Sequence, residues 1–522
     1  MGQSFENPHA FLDWEGLQAP LRVTRLSPAA ALPAGSSVAS VSRDESYRLR
    51  CDVEGLSSDP AGPYLEFQTQ HLRPFEFAGV SGGFDVTLSN CYSTEIQVRP
   101  DSDSRLYAHN SFRLGVHTDR VDQKAAGHWS ETAHIDWFIN GPRGFVFTRK
   151  TFHQRDHGYL RKVEGAPEFA FCSGASLPSG SVDCALVKLP GFSFLIRGVP
   201  VGFGPSWSKS IGIEYTAELS SIPDTDRREA VAEIVSFVLG RRLISVGDTS
   251  LGAGEFPFYL QNWDNPGAAS TPKGIKPHFA FQMRSWNPRG INVGKLCSEI
   301  DFPPIPVDRL RGKGAQNIES VLASLVPAYL ERRRLYALDD ALWRYWTFQE
   351  LPLGVNLPML VNGFEILARA WFESPRTESH GSFTPKQEFV SLLRADFDEV
   401  RRKLEEAATT KPSMSRLQNR ETLDALMRRL ENSFEMGQNA RIRAFFRELG
   451  LEPTEAQVES MDARNKQIHG DSPDREPSEL WGHSENLRTL FYQIVLRLLD
   501  YSGEYLDWAL QEPAVKRLSA PA

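Results

Sequence analysis

From Leu21 to about residue 305, apolar and polar residues alternate with period two in short runs separated by turn residues, as half-buried β-strands do. Leu21–Leu26 and Tyr47–Val53 are predicted strands, and Ser27–Ser42 between them reads as a loop. Phe75–Phe77 and Phe84–Leu88 flank Gly79–Gly83, a predicted hairpin connection. Ser111–Leu114, His134–Ile139 and Phe145–Thr148 follow, the last two joined by the turn Asn140–Gly144. After a charged stretch near 155–168 the texture resumes at Phe169–Cys172, Val182–Val187, Phe192–Arg197, Ile211–Tyr215, Leu243–Val246 and Phe256–Leu260. One helix interrupts it: Asp224 can cap it, Ala230, Val231, Ile234, Val235 and Val238 form its apolar stripe, and Gly240 ends it.

Past Phe302-Pro303-Pro304-Ile305-Pro306 the period changes to that of helices. Ile318–Tyr329 reads as an adaptor helix, and Asp339-Asp340 can cap a helix carrying Leu342, Trp343, Tyr345, Trp346 and Phe348. Leu357–Phe372 is apolar nearly all round, which implies burial in a bundle or at a subunit interface. Pro385 opens a long helix with the stripe Phe389, Leu392, Leu393, Phe397, Val400 and Leu404, and a closing helix is predicted over Pro477–Leu510. The expected fold is therefore α+β and multidomain. Two β-rich, sandwich-like lobes, separate or continuous, cover 1–160 and 161–305; a linker and adaptor helix cover 306–337; an all-α bundle covers 338–522.

Composition narrows the classes. With 41% hydrophobic and 24% charged residues the chain has material for real cores. No apolar run approaches a membrane span and the N-terminus lacks signal-peptide features, so a cytoplasmic protein without a membrane partner is expected. The net charge of −8 argues against a protein that coats nucleic acid through its overall field, and basic and acidic residues are shared evenly between the two halves. Any RNA contact must come from local clusters. Cys51, Cys91, Cys172, Cys184 and Cys297 are scattered without a Cys-x-x-Cys pair and read as reduced thiols. His128, His134 and Asp136, or His153 with His157, approach metal-ligand spacing, but solvated or core-edge histidines are the favoured reading; no metal and no cofactor are expected. Gly252-Ala253-Gly254 lacks the lysine and helix of a phosphate loop.

One stretch carries chemistry of its own: Arg464-Asn465-Lys466-Gln467-Ile468-His469-Gly470, at the end of an amphipathic helix that Gly470 and Pro473 stop. Unpaired carbonyls at a helix C-terminus favour a cation, so an imidazole there holds its proton more firmly. Asn465 and His469, four apart, share a face; Arg464 and His469 are about 500° apart on a regular helix and come together only if the helix unwinds at Gly470. A guanidinium that grips phosphate, an amide that orients an imidazole and an imidazole that exchanges a proton suffice to cut RNA without a metal, although such residues at a helix end also serve as a solvated surface or a cap. Of the 12 histidines, His469 is the one with an arginine five to seven positions before it.

These residues resemble the Arg-polar-x-x-x-His signature of the HEPN superfamily. With the run Phe445-Phe446-Arg447-Glu448-Leu449-Gly450-Leu451 and the long closing helix, residues 338–522 are similar to the ApeA-type HEPN domain of bacterial anti-phage proteins. The resemblance implies a metal-independent endoribonuclease, with Arg464, Asn465 and His469 catalytic and Glu365 and Lys466 supporting. Glu365, a carboxylate on an apolar helix, is expected to pair with Arg464, or with Arg369 four residues on. Arg441, Arg443 and Arg447 line an RNA path or form a solvated face. The resemblance further implies a homodimer through the helical bundle, an RNA substrate such as tRNA, and β lobes that sense a phage-derived trigger. The alternative is a non-catalytic HEPN scaffold for dimerisation or nucleotide binding.

Overall fold

The computed structural model of the chain describes residues 20–27, 32–43, 49–57, 63, 74–100, 110–142, 146–154, 157–172, 180–198, 209–216, 221–252, 256–263, 301–307, 315–374, 386–414, 419–431, 438–468, 476–510 and 513–518, some of them by backbone alone. The chain divides into two compact units, Met1–Leu330 and Glu331–Ala522. The first is β-rich and antiparallel, the second helical, so the protein is α+β.

In the first unit the strands are β1 (Leu21–Thr24), β2 (Ser36–Arg43), β3 (Leu49–Ser57), β4 (Phe75–Ser81), β5 (Phe84–Pro100), β6 (Asn110–Ala125), β7 (Ala133–Gly141), β8 (Arg149–Gln154), β9 (His157–Val163), β10 (Ala166–Cys172), β11 (Ser181–Lys188), β12 (Ser193–Gly198), β13 (Lys209–Thr216), β14 (Ile244–Gly252) and β15 (Phe256–Trp263). The ladder β6-β3-β2-β1-β4-β5 returns to β6, which closes a six-stranded barrel. β6 manages this because it is long. One edge pairs with β5 throughout; the other pairs with β3 over Asn110–His117 and with β15 over Arg120–Lys124. From that second half the sheet continues as β15-β14-β7-β13-β12-β11-β8-β9-β10.

Sandwich-like lobes with a seam near residue 160 are thus replaced by a barrel and a sheet that share β6, and residue 160 falls inside β9, paired on both sides. Alternation builds the barrel core: Leu49, Cys51 and Val53 of β3 point inward with Val41, Phe77, Val86, Leu88 and Leu114, while Arg50 and Glu54 face out. Burial pushes the Cys91 thiol up to about 12 and the Cys51 thiol well above its usual range, so both stay protonated and inert. The predicted hairpin forms on Gly82 and Gly83 alone, both at positive φ, which fits a two-residue turn that follows the strand twist. Ser27–Ser42 is not all loop, because β2 occupies its second half; serines alternating with Val38, Ala39 and Val41 give too weak an apolar signal to stand out.

α1 (Thr225–Leu239) follows its sequence signals. The Asp224 carboxylate accepts from Arg227 N at 2.9 Å, and Gly240 closes the helix in the left-handed region at φ 68°. α2 (Ile318–Arg332) carries the chain across the boundary between the units.

The second unit contains α3 (Leu338–Glu350), α4 (Leu357–Glu373), α5 (Lys386–Thr410), α6 (Arg420–Glu431), α7 (Gln438–Glu448), α8 (Glu455–Ile468) and α9 (Pro477–Leu498). α4 is its hub: α3, α7, α8 and α9 all pack against it. Leu360, Val361, Phe364, Leu367 and Ala368 of α4 are fully buried, as its composition predicts. Tyr345 of α3 stacks on Phe491 of α9 at 4.9 Å and shares a 2.5 Å hydrogen bond with Tyr492. α5 packs on α6, but Leu392 is 80% exposed and Val400 is also exposed. Leu392 falls to one side of the Phe389–Leu393–Phe397–Leu404 line, whereas Val400 lies on it and is exposed all the same, so the expected inward stripe is less fully covered than read. The closing helix ends at Leu498 rather than Leu510. Asp500 turns the chain at φ 55°, and β16 (Glu504–Asp507) pairs with β17 (Ala514–Arg517) in a terminal hairpin. Among the described residues no helix is long and apolar enough to cross a membrane.

Candidate functional site

α8 carries Arg464, Asn465 and Lys466, and its start is fixed locally. Thr454 Oγ1 accepts from Gln457 N at 3.3 Å while Gln457 Oε1 accepts from Thr454 N at 2.9 Å. This reciprocal pair satisfies two of the donors a helix start leaves open. In the middle of the helix Ser460 is fully buried. Its hydroxyl donates to Ala456 O at 2.6 Å, which leaves His483 Nδ1 (3.0 Å) and Asn486 Nδ2 (3.1 Å) as the groups that donate to it from α9. α8 is therefore pinned to α9 one turn before Arg464.

α8 is described as far as Ile468. Arg464, Asn465 and Lys466 lie on it; their side chains, and His469 and Gly470 entirely, lie outside the described residues. Glu365 is half-buried on α4, the helix on which α8 packs, and Arg369 one turn along is exposed. The expected Glu365–Arg464 pair involves a side chain outside the described residues. On α7, Ile442, Phe445 and Phe446 face the core, and Glu448 Oε2 accepts from Trp371 Nε1 of α4 at 2.6 Å. That fixes Arg443 and Arg447, four apart, on the exposed side, with Arg441 half-buried beside them.

Of the histidines set aside in the first unit, His128 is exposed, and His153 and His157 are described by backbone alone, on the paired strands β8 and β9. His134 and Asp136 are different. They share one face of β7, and their side chains meet at 3.3 Å, Nε2 to Oδ1. The other ring nitrogen, Nδ1, lies 2.9 Å from Glu131 Oε1 and 3.3 Å from Ser250 Oγ. On the neighbouring strand β14 the register sets Ser250 opposite His134 and Asp248 opposite Asp136. Arg228, from α1, brings Nε to 3.4 Å from Asp136 Oδ2.

Burial in this cluster works against charge, and the partners decide who keeps it. Burial pulls the His134 imidazole down, but hydrogen bonds to Asp136 and Glu131 outweigh it and raise the group to about 9. Asp248 is pushed up to about 7, first by burial and then by Asp136, against the opposing pull of His134 and Arg228. The spacing of His134 and Asp136 was legible; Asp248, Glu131, Ser250 and Arg228 were missed. A signal existed for two of them, since Asp248 and Ser250 have the same parity on a strand read as ending at Val246. Comparison with protein-family models, curated proteins and solved structures finds no match to this chain.

Proposed function

We propose that the chain is a metal-independent endoribonuclease of the HEPN type, acting in the cytoplasm as an anti-phage effector, with the β-rich unit as its sensor or regulatory part. The observation that carries this reading is α8 (Glu455–Ile468), which bears Arg464, Asn465 and Lys466 on one helix and is held to α9 through Ser460. α8 packs on the helix that bears Glu365, the acidic group the reading requires near the arginine. An RNA 2′-hydroxyl attacks the adjacent phosphorus, the P–O5′ bond breaks, and the products are a 2′,3′-cyclic phosphate and a 5′-hydroxyl. Arg464 neutralises charge on the phosphorane oxygens, His469 takes the 2′ proton or returns one to the leaving oxygen, and Asn465 orients the imidazole. Lys466 supports the phosphate, and Arg441, Arg443 and Arg447 guide the strand.

One site offers one imidazole, so acid and base roles divide best between two copies in a homodimer. Exposed Leu392 and Val400, eight residues apart on α5, give the second unit apolar surface for such a partner.

The test is incubation of the purified chain with bulk tRNA in EDTA, comparing wild type with His469→Ala and Arg464→Ala. The reading requires cyclic-phosphate ends that both variants abolish. Intact RNA with a persistent dimer would replace the enzyme with a non-catalytic scaffold, and cleavage that survives His469→Ala would remove the assigned chemistry.

A further inference from the structure

We propose that His134, Asp136 and Asp248 bind one divalent transition-metal ion, Zn²⁺ or Mn²⁺, in a buried structural site that ties β7 to β14. One donor atom from each residue lies within 4.8 Å of the other two. The His134 Nε2–Asp136 Oδ1 separation of 3.3 Å is close to the roughly 3.4 Å between two ligands that each sit about 2.1 Å from a tetrahedral zinc. An Asp248 carboxylate oxygen, within 4.8 Å of both, is the third donor.

Three further observations point to a cation rather than to an ordinary buried polar cluster. Glu131 engages His134 Nδ1 at 2.9 Å, so with the ring proton on that nitrogen the Nε2 lone pair faces the two aspartates; a carboxylate on the far nitrogen is the usual support of a metal-bound histidine. Asp248 Oδ1 is buried and has no hydrogen-bond partner among the described residues, an expensive state for a carboxylate oxygen. Tyr215 Oη is a second such atom. Tyr215 stands opposite His134 on β13, the strand on the other side of β7.

Charge agrees. Glu131, Asp136 and Asp248 bring three negative charges and Arg228 one positive, which leaves two for a divalent ion beside a neutral imidazole. Arg120, also near Asp248, is matched by its own ion pair with Asp122. The rival occupant is a proton on His134. It joins Nε2 to Asp136 but still leaves Asp248 Oδ1 without a donor. A nitrogen ligand and few oxygens favour a first-row transition metal over Mg²⁺ or Ca²⁺. The residues are too buried to admit a substrate, His134 at 5% and Asp248 at 6% exposure, so the ion's role is structural.

The experiment uses the full chain, stripped with chelator and titrated with Zn²⁺ and separately with Mn²⁺ by calorimetry, with metal content and melting temperature measured alongside. Wild type should take up one equivalent of at least one of the two metals and melt higher when loaded. Asp248→Asn, which keeps shape and removes a charged ligand, should weaken that binding at least tenfold. The same variant should melt no lower than stripped wild type, because it relieves a buried charge. His134→Gln should also lose the metal; should it fail to fold, Asp248→Asn decides alone. No stoichiometric uptake of either metal overturns the site, as does uptake that both folded variants retain. These readouts do not depend on RNA cleavage.

Discussion

Arg149 on β8 and Glu319 in the first turn of α2 form a two-pronged ion pair, Nε to Oε1 and Nη2 to Oε2, both at 2.7 Å. The same carboxylate accepts from Thr148 Oγ1 at 2.5 Å and from Leu186 N at 3.0 Å, so it fastens the helix to two neighbouring strands of its unit. Such an arrangement works because the side chain is only 13% exposed and its oxygens are fully used. Glu319→Ala should cost about 3 kcal/mol, since it leaves Arg149 half-buried without its carboxylate.

The same carboxyl supplies a pH dependence. Burial pushes Glu319 up, but the hydrogen bonds from Arg149, Thr148 and Leu186 outweigh it and hold the group below the usual carboxylate range. A depressed folded value means stability that is present above the unfolded value, about 4.3, and lost as pH falls through the folded one. Urea midpoints of wild type and Glu319→Gln should therefore differ most above about pH 5 and converge on acidification. A gap that widens in acid would contradict the assignment.

Within the second unit Arg488 and Glu485 form a pair buried to 3% and 7% side-chain exposure, with Arg488 5.6 Å from the centre of the Phe348 ring. Burial raises Glu485 despite Arg488, which indicates that the pair is barely compensated for leaving water. Glu485→Ala alone should cost about 3–5 kcal/mol by stranding a buried guanidinium. Replacing both, as Glu485→Leu with Arg488→Met, should recover most of that loss. A double-mutant cycle by urea unfolding measures the coupling, and a double variant no better than the single would show the pair to be a net stabiliser.

Gly240 ends α1 at φ 68°, and a Cβ there would lie 2.0 Å from both Phe302 C and Pro303 N. The backbone also bonds across this point, Phe302 N to Gly240 O at 3.0 Å. Left-handed geometry alone costs an alanine about 1–2 kcal/mol. Because the obstructing atoms are backbone, Gly240→Ala should exceed that figure, whereas Gly82→Ala, with nothing within 4 Å of its Cβ, should stay near it. Thermal denaturation of the two variants separates conformation from collision.

What could be read from the chain follows how local each cause is. α1 was legible at both ends because Asp224 and Gly240 act on their own neighbours, and the burial of α4 followed from its lack of a polar face. β2 and the terminal hairpin were not. The first alternates serine with small apolar residues, and the second follows Asp500, where a single left-handed residue turns the chain. Closure of the barrel depends on β6 pairing different strands along its two halves, a long-range choice that no local pattern encodes. In the helical unit the Arg464–His469 spacing was visible, and the Thr454–Gln457 capping pair was equally available to inspection. The meeting of His134 with Asp248 needed register between strands more than a hundred residues apart.

Ser460 offers a way to separate support of α8 from chemistry at its end. The residue holds α8 to His483 and Asn486 of α9, yet it lies a full turn before Arg464. Ser460→Ala removes the acceptor for both groups and should cost about 1–3 kcal/mol, most of it the penalty for buried partners left unsatisfied. If the ribonuclease reading holds, cleavage per folded molecule should fall less than about tenfold in this variant. Arg464→Ala should fall by roughly 10²–10⁴ with little change in stability, because it removes stabilisation needed only as the phosphorane forms. Urea midpoints and single-turnover rates on the same preparations provide both axes. Should Ser460→Ala abolish cleavage while leaving the midpoint unchanged, Ser460 would have to be counted among the reacting groups rather than the supports.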